Sequence, residues 1–333
     1  MAACMGKAQF PCKAMRFWTD GADMPGDFWR LPGSGVLKCR PMTSPASTSP
    51  LPDSILLPSL AVLGGQISVN LGAAIAKNLF PVIGVEGITA YRVGFSALIL
   101  LAIFRPWRFR LTRKDVLNLL VYGSVLGLMN LLIYRAFELI PIGIAVAIEV
   151  TGPLAVAMLS SRRPRDLLAV ACAVFGLYLL LPLQGSPGSL DPVGVAYALG
   201  AALCWALYII FGKRASSLQG GQAVAWGMTV AALVTVPIGI TYAGSTLLAP
   251  SIALLGLAIA MLSSALPYSL EIFALRRLPQ GVFGMFSSAA PAVSALAAMA
   301  VLGELLSLIQ WLAIGCIVFA SAMAALGSQG GKR

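Results

Sequence analysis

The chain has 333 residues, of which 59% are hydrophobic and only 11% are charged, and it carries a formal net charge of +11. A soluble globular protein carries about 25% charged residues, so this chain cannot cover a water-facing surface with polar groups. Intrinsic disorder is excluded as well, because it requires low hydrophobicity. The composition therefore predicts a protein whose solvent is the lipid bilayer.

The first 54 residues differ from the rest of the chain because they are rich in Pro, Gly, Ser and Thr. They contain no apolar run of roughly 7–15 residues, so they do not form a secretory signal peptide. Two interpretations stay open. The segment is a disordered cytoplasmic arm, or it precedes the true translation start, since Met24 or Met42 could begin a complete membrane protein.

Beyond residue 54, apolar stretches of roughly 20 residues recur, which is the length an α-helix needs to cross a bilayer. Ten such spans are predicted, at residues 55–76, 84–104, 116–137, 142–160, 167–183, 193–211, 223–243, 251–275, 282–303 and 305–326. The alternation of a membrane β-barrel is absent. We therefore expect an all-α membrane protein with ten transmembrane helices.

Basic residues collect on alternate loops of this arrangement. Those on one side are Arg105, Arg108, Arg110, Arg113, Lys114, Arg162, Arg163, Arg165, Lys213, Arg214, Arg276, Arg277, Lys332 and Arg333. Only Lys77 and Arg135 lie at the other side. The positive-inside rule then places both termini in the cytoplasm. The net charge is explained by this topology, so nucleic acid is not an expected partner.

The two halves of the chain resemble each other weakly. Pro141 and Pro153 flank and interrupt span 4, and Pro279 and Pro291 repeat their spacing at span 9. This offset corresponds to five spans, an odd number, so the halves must be oppositely oriented. Inverted repeats of this kind are typical of secondary transporters. We predict two inverted five-helix repeats, at residues 55–183 and 191–326, followed by a cytoplasmic tail at 327–333.

Several kinds of chemistry are excluded by what the sequence lacks. Histidine is absent, which excludes the HExxH zinc motif and any Ser-His or Cys-His catalytic arrangement. The six cysteines include no CxxC pair, so a metal or redox site is unsupported. No Walker A motif is present, so ATP is not the direct energy source. We expect no metal, no cofactor and no enzymatic activity.

Three stretches carry a resemblance to a known family: residues 149–164 (EVTGPLAVAMLSSRRP), 265–271 (ALPYSLE) and 302–304 (LGE). They resemble the threonine/homoserine exporters of the drug/metabolite transporter superfamily, which consist of two EamA-type halves. The resemblance implies export of small neutral amino acids across the bacterial inner membrane, coupled to the proton gradient. One departure is Ala290, which stands where such proteins tend to carry an acidic residue.

The partners expected from this resemblance are a small amino-acid substrate, protons, the lipid bilayer and a second copy of the chain. An alternative keeps the same fold but changes the cargo to another small metabolite or drug.

Charged residues inside a membrane span are costly and are candidate functional groups. Arg92 and Glu149 each lie roughly 12 Å below the outer surface, counted at the rise of an α-helix, and Asn130 lies at a similar depth. Arg92 suits a substrate carboxylate because its planar fork binds carboxylates in a bidentate way. Glu149 suits the substrate ammonium or could carry the coupling proton. The alternative is a structural Arg92–Glu149 ion pair between spans 2 and 4.

Two further groups of polar residues share helix faces. On span 1, Asn70 would reach the depth of Arg92, while Lys77 near the outer end either binds substrate or extends to lipid headgroups. On span 8, Ser264, Tyr268 and Glu271 share a face; Tyr268 is a candidate substrate contact. Glu271 is either a second gate or proton site, or an interfacial charge paired with Arg276 or Arg277.

Overall fold

The computed structural model describes residues 56–108, 111–159, 164–180, 190–214, 221–275 and 277–327. The predicted N-terminal arm, Arg276 and the tail beyond Gly327 lie outside these ranges. The side chains of some residues within the helices, including Tyr268, are also outside what the structure describes.

The described residues form twelve α-helices and no strand. In chain order the helices are α1 Leu56–Asn78, α2 Phe80–Phe104, α3 Arg113–Leu139, α4 Ile142–Leu159, α5 Pro164–Leu180, α6 Pro192–Arg214, α7 Gly221–Ala243, α8 Pro250–Ala260, α9 Leu266–Leu275, α10 Gln280–Ser287, α11 Ala290–Leu302 and α12 Leu308–Gly327. Eight segments of this part of the chain are long and apolar enough to cross a membrane, and α4 and α5 are shorter apolar helices. The all-helical membrane fold expected from the sequence is confirmed at this level.

The helix α4 lies at the centre of the largest apolar core. Ile142, Ile144 and Ile148 on this helix are fully buried, against residues of α1, α2, α3, α6, α11 and α12. A helix that is apolar on every side faces either other protein or lipid, and the burial of these three side chains shows that protein surrounds this part of α4. The position of α4 therefore removes Glu149, on the same helix, from the lipid and from bulk water.

Predicted span 8 is divided by a π-helical turn, Met261–Ala265, that separates α8 from α9. Pro267 explains this turn, because a proline has no N–H and its ring collides with the carbonyl four residues earlier in an α-helix. In the π register the carbonyl of Leu262 faces position 267, which offers no donor. The hydroxyl of Ser68 on α1 donates to that carbonyl at 2.5 Å instead.

Predicted span 9 is also divided. The helix α10 ends at Ser287 and α11 begins at Ala290, with Pro291 in its first turn. Proline is tolerated there because the first N–H groups of a helix have no partner within it. The break turns Ser287 and Ser288 toward the interior, where both residues line a cavity.

Two helices are shaped by glycine. In α2, Gly84 adopts φ +71°, a left-handed conformation that glycine reaches without strain, and the helix is kinked at this residue. In α3, Gly123 and Gly127 face α7 so closely that a Cβ atom on Gly123 would lie 2.4 Å from Cβ of Val230. Small residues at such positions allow membrane helices to approach each other.

Candidate functional site

Arg92, near the middle of α2, is held by side chains of two other elements, α3 and the π turn. Its Nη1 donates to Oδ1 of Asn130 on α3 at 2.9 Å, and its Nε donates to Oγ of Ser263 in the π turn at 3.2 Å. Its Cζ lies 5.0 Å from the centroid of the Tyr134 ring, which is cation–π distance. These contacts fix the guanidinium in one orientation between α2, α3 and the π turn.

The partners of Arg92 are themselves oriented by the backbone. Asn130 donates through Nδ2 to the carbonyl of Leu126 at 2.8 Å, which leaves its Oδ1 to accept from Arg92. Ser263 donates to the carbonyl of Ile259 at 2.7 Å, which leaves its oxygen to accept in the same way. All these acceptors are neutral. Arg92 is therefore positioned by hydrogen bonds that leave its positive charge without a counterion.

Arg92 and Glu149 do not form the ion pair that was the structural alternative. Within the described ranges, no carboxylate lies within 4.0 Å of the Arg92 guanidinium. The two groups are close enough to interact electrostatically. Glu149 is 8% exposed, and none of the hydrogen bonds found between described residues reaches its carboxylate. Arg92 and Glu149 therefore lie in one region of the interior without pairing with each other. Each keeps hydrogen-bonding groups that a ligand could use.

Tyr134 completes this region, which we call the central site: Arg92, Asn130, Tyr134, Glu149 and Ser263. The Tyr134 side chain is 1% exposed, and its hydroxyl finds no hydrogen-bond partner among the described groups. The Tyr134 hydroxyl lies close enough to both Arg92 and Glu149 to interact with their charges. A buried hydroxyl without a partner costs free energy unless a ligand or water satisfies it. Tyr134 follows Asn130 by one helical turn on α3, but it was not among the residues selected from the sequence.

The structure places Lys77 away from the central site, in the last turn of α1. Its Nζ lies 2.7 Å from Oε1 of Glu304, and Oε2 of Glu304 accepts from the backbone N–H of Ile142 at 2.9 Å. Glu304 therefore connects the end of α1 to the first turn of α4, where a carboxylate also complements the helix dipole. Lys77 has a structural partner here that the sequence did not indicate.

The other polar residues named from the sequence lie on α1, in the π turn and on α9. Asn70 is buried on α1 and donates through Nδ2 to the carbonyl of Gln66 at 2.8 Å, within its own helix. Ser264, in the π turn, accepts from Ser96 of α2 at 2.5 Å. Tyr268 lies on α9, and its side chain is outside what the structure describes.

A buried acid that was not selected from the sequence lies near the N-terminal end of α2. Glu86 is 7% exposed and forms an ion pair with Arg135 of α3, which also binds Glu138 at 2.8 Å. The sequence contained a signal for this residue, because a single acid inside an apolar stretch is by default a functional or an ion-paired group. Together with the Lys77–Glu304 bridge, this ion pair connects helices at the end of the bundle where α1 and α3 end and α2 and α4 begin.

A cavity of about 470 Å³ lies beside the C-terminal half of α4. Its walls come from α1, α4, α6, α9, α10 and α12, and its polar lining residues are Gln66, Trp205, Glu271, Ser287, Ser288 and Ser321. Glu271 has no ion-pair partner among the described residues. Arg277 donates to the carbonyl of Phe273 at 3.3 Å and forms no ion pair with Glu271. The other predicted pair, Glu271 with Arg276, involves a residue outside the described ranges.

The chain is similar to several known proteins. The EamA-like transporter family matches residues 192–326. The threonine/homoserine exporters RhtA of Salmonella typhimurium and Escherichia coli K12 are 49% identical over 277 residues, which covers 83% of this chain and 93% of each relative. The uncharacterized inner membrane transporter YedA of Escherichia coli K12 is 28% identical over 198 residues, covering 56% of this chain and 63% of YedA.

A solved crystal structure supports the fold independently. It superimposes with a TM-score of 0.54 at 20% sequence identity, and the match covers 83% of this chain and 99% of that chain. Similarity at this level of identity is evidence for the fold alone. The apolar helices and the level of identity to RhtA make the chain a multi-pass membrane protein of a transporter family rather than an enzyme. The chain belongs to the EamA-like transporter family of the drug/metabolite transporter superfamily.

Proposed function

We propose that the chain exports small neutral amino acids, such as threonine and homoserine, from the cytoplasm by proton-coupled alternating access. Its identity to the exporters named RhtA supports this cargo. The observation that carries the proposal is the central site, where Arg92 is fixed by neutral partners beside the unpaired, buried Glu149.

An amino-acid zwitterion matches this arrangement. A guanidinium has five N–H donors, of which Asn130 and Ser263 occupy two, so further donors remain for a substrate carboxylate. Charge-assisted bonds to a carboxylate are stronger than bonds between neutral groups. The ammonium group of the same substrate would bind Glu149, and the orphan hydroxyl of Tyr134 would bind the substrate's own hydroxyl.

Glu149 also offers a simple mechanism of coupling. A carboxylate that binds a proton loses the negative charge that attracts an ammonium group. Proton and substrate then compete for one group, so a proton that enters from the outside displaces the amino acid outward. This exchange makes the transporter an antiporter.

Alternating access requires two halves that move against each other. We propose that residues 55–183 and 191–326 are inverted repeats of five transmembrane helices, with both termini in the cytoplasm. The packing supports a two-fold relation: α1 packs on α9 as α6 packs on α3, and α1 packs on α11 as α6 packs on α4. Ion pairs at the outer end and the cavity at the inner end are typical of a state that opens inward.

The test is accumulation of labelled threonine by inverted vesicles with an imposed proton gradient. Glu149→Gln should abolish gradient-driven accumulation, because glutamine cannot exchange a proton. Glu138→Gln, a matched change at an exposed residue, should retain it. Threonine accumulation that does not depend on Glu149 would overturn the coupling mechanism.

A second candidate function is export of another small metabolite or drug by a protein of the same fold. The weaker similarity to YedA, an uncharacterized transporter, supports this alternative. Cells that overproduce the chain distinguish the two. Protection against toxic homoserine analogues favours amino-acid export, whereas protection only against unrelated compounds favours the second candidate. The homodimer also stays a prediction, which the mass of the purified protein in detergent would test.

A further inference from the structure

The cavity beside the C-terminal half of α4, which is the cytoplasmic half in the proposed orientation, is separate from the central site. Its lining contains none of Arg92, Asn130, Tyr134, Glu149 and Ser263. The lining also contains one acid, Glu271, and no basic residue. A cavity with this charge favours a cation and disfavours a free carboxylate or phosphate.

Several polar groups of the cavity lack partners within the protein. The hydroxyl oxygens of Ser287 on α10 and Ser321 on α12 are buried and make no hydrogen bond to any described group. The carboxylate of Glu271 on α9 has no ion-pair or hydrogen-bond partner in the described part of the chain. Buried polar groups are nearly always paired, so unpaired groups converging on one cavity indicate a ligand or ordered water there.

The cavity is large enough for an amino acid. A volume of about 470 Å³ corresponds to roughly 15 water molecules at ~30 Å³ each, whereas threonine has eight non-hydrogen atoms. Val150 and Leu154 on α4 supply an apolar wall. Val150 directly follows Glu149, so this wall adjoins the central site along the chain.

We propose that this cavity is a second ligand site, which binds the ammonium group of the amino acid through Glu271 before the substrate reaches Arg92. Ser287 and Ser321 donate hydrogen bonds to the hydroxyl oxygen of the ligand, and the ligand carboxylate stays in water at the mouth of the cavity. The identity of the ligand rests on the proposed function. The recognition of a primary ammonium group by the cavity rests on its own lining.

The test uses the full chain with its six native cysteines replaced by alanine and Ser287 replaced by cysteine. A membrane-impermeant maleimide added to inverted vesicles should alkylate Ser287→Cys. Threonine should slow the alkylation several-fold, and 1-amino-2-propanol, which lacks a carboxylate, should do the same. The analogue 4-hydroxybutyrate, which lacks the amine, should not protect.

Two controls make the result specific. Glu271→Gln should remove the protection, whereas Glu138→Gln should preserve it. Arg113→Cys, an exposed position at the start of α3, should be alkylated at a rate that no ligand changes. Ser321→Cys repeats the measurement from α12 if Ser287→Cys fails to fold.

The outcomes separate this proposal from the proposed function. Protection that persists in Glu271→Gln, protection by 4-hydroxybutyrate, or no alkylation from the inner side would overturn the second site. If threonine is transported without protecting either cysteine, the second site is wrong and the proposed function stands. If both amines protect but no amino acid is transported, the proposed function is wrong and the site stands.

Discussion

Nη1 of Arg92 donates a 2.9 Å hydrogen bond to Oδ1 of Asn130, and the carbonyl oxygen of a neutral amide thereby occupies a position that suits a carboxylate. The guanidinium is held in place, yet its charge is not neutralised by this partner. This hydrogen bond predicts how substitutions of Arg92 and of Asn130 should change transport.

Asn130→Asp should impair transport more than Asn130→Ala, although aspartate is nearly isosteric with asparagine. The new carboxylate would pair with Arg92 and compete with the substrate carboxylate for it. A hydrogen bond to a charged group contributes about 1.5–3 kcal/mol, so KM should rise roughly 10- to 100-fold. Threonine uptake into inverted vesicles measures both variants. Equal KM values for the two would contradict this role of Asn130.

Arg92→Lys should lose most of its transport activity in spite of retaining the charge. Lysine is a compact point charge without the planar fork, so it cannot contact Asn130, Ser263 and a carboxylate together. We expect kcat/KM for threonine to fall at least about tenfold, the equivalent of one charge-assisted bond. Arg113→Lys, at an exposed position, is the matched control and should be unaffected.

Ser68→Ala should destabilise the protein by about 1 kcal/mol, because the carbonyl of Leu262 loses its donor. The loss should be smaller in a Pro267→Ala background, where residue 267 regains an N–H that Leu262 can use. Thermal denaturation of the four proteins in detergent gives this double-mutant cycle. Strict additivity would show that Ser68 does not substitute for the missing donor of Pro267.

Exchange of the charges in Lys77→Glu/Glu304→Lys should restore only part of the stability that either single change removes. Glu304 accepts from the N–H of Ile142 as well as from Lys77, and a lysine at position 304 cannot accept that bond. Melting temperatures of the two single variants and the double variant measure the effect. Full restoration would mean that the bond to Ile142 contributes nothing to stability.

Gly152→Ala on α4 should destabilise the protein, whereas Gly315→Ala on α12 should not. A Cβ atom at position 152 would lie 2.0 Å from the carbonyl oxygen of Ala202, and at position 315 nothing lies within 4 Å. Overpacking costs about 1–3 kcal/mol, and alanine is about 1 kcal/mol better than glycine inside an exposed helix. Melting temperatures that move in the same direction would contradict this difference in packing.

The sequence predicted the helical class and the approach of Arg92 to Asn130, because helical rise alone gives the depth of each residue in a span. It did not predict the π turn, which shifts the helix register before Tyr268 and Glu271. Periodicity assumes an unbroken helix, and only contacts with α1 and α2 show how the freed carbonyl is satisfied. For the same reason Lys77 seemed free in the sequence, while Glu304 reaches it from a distant loop.

The residues of the central site are far apart in the sequence, which has a consequence for the synthesis and membrane insertion of the protein. Asn130 follows Arg92 by 38 residues, in the next helix, but Ser263 follows it by 171. At a synthesis rate of roughly 5–20 residues per second, about 9–34 s pass between the synthesis of Arg92 and that of Ser263. A charged arginine at the centre of a helix opposes membrane insertion by about 2.5–3.5 kcal/mol. Early pairing of α2 with α3 through Asn130 therefore stabilises a half-made protein until the π turn that carries Ser263 is synthesised.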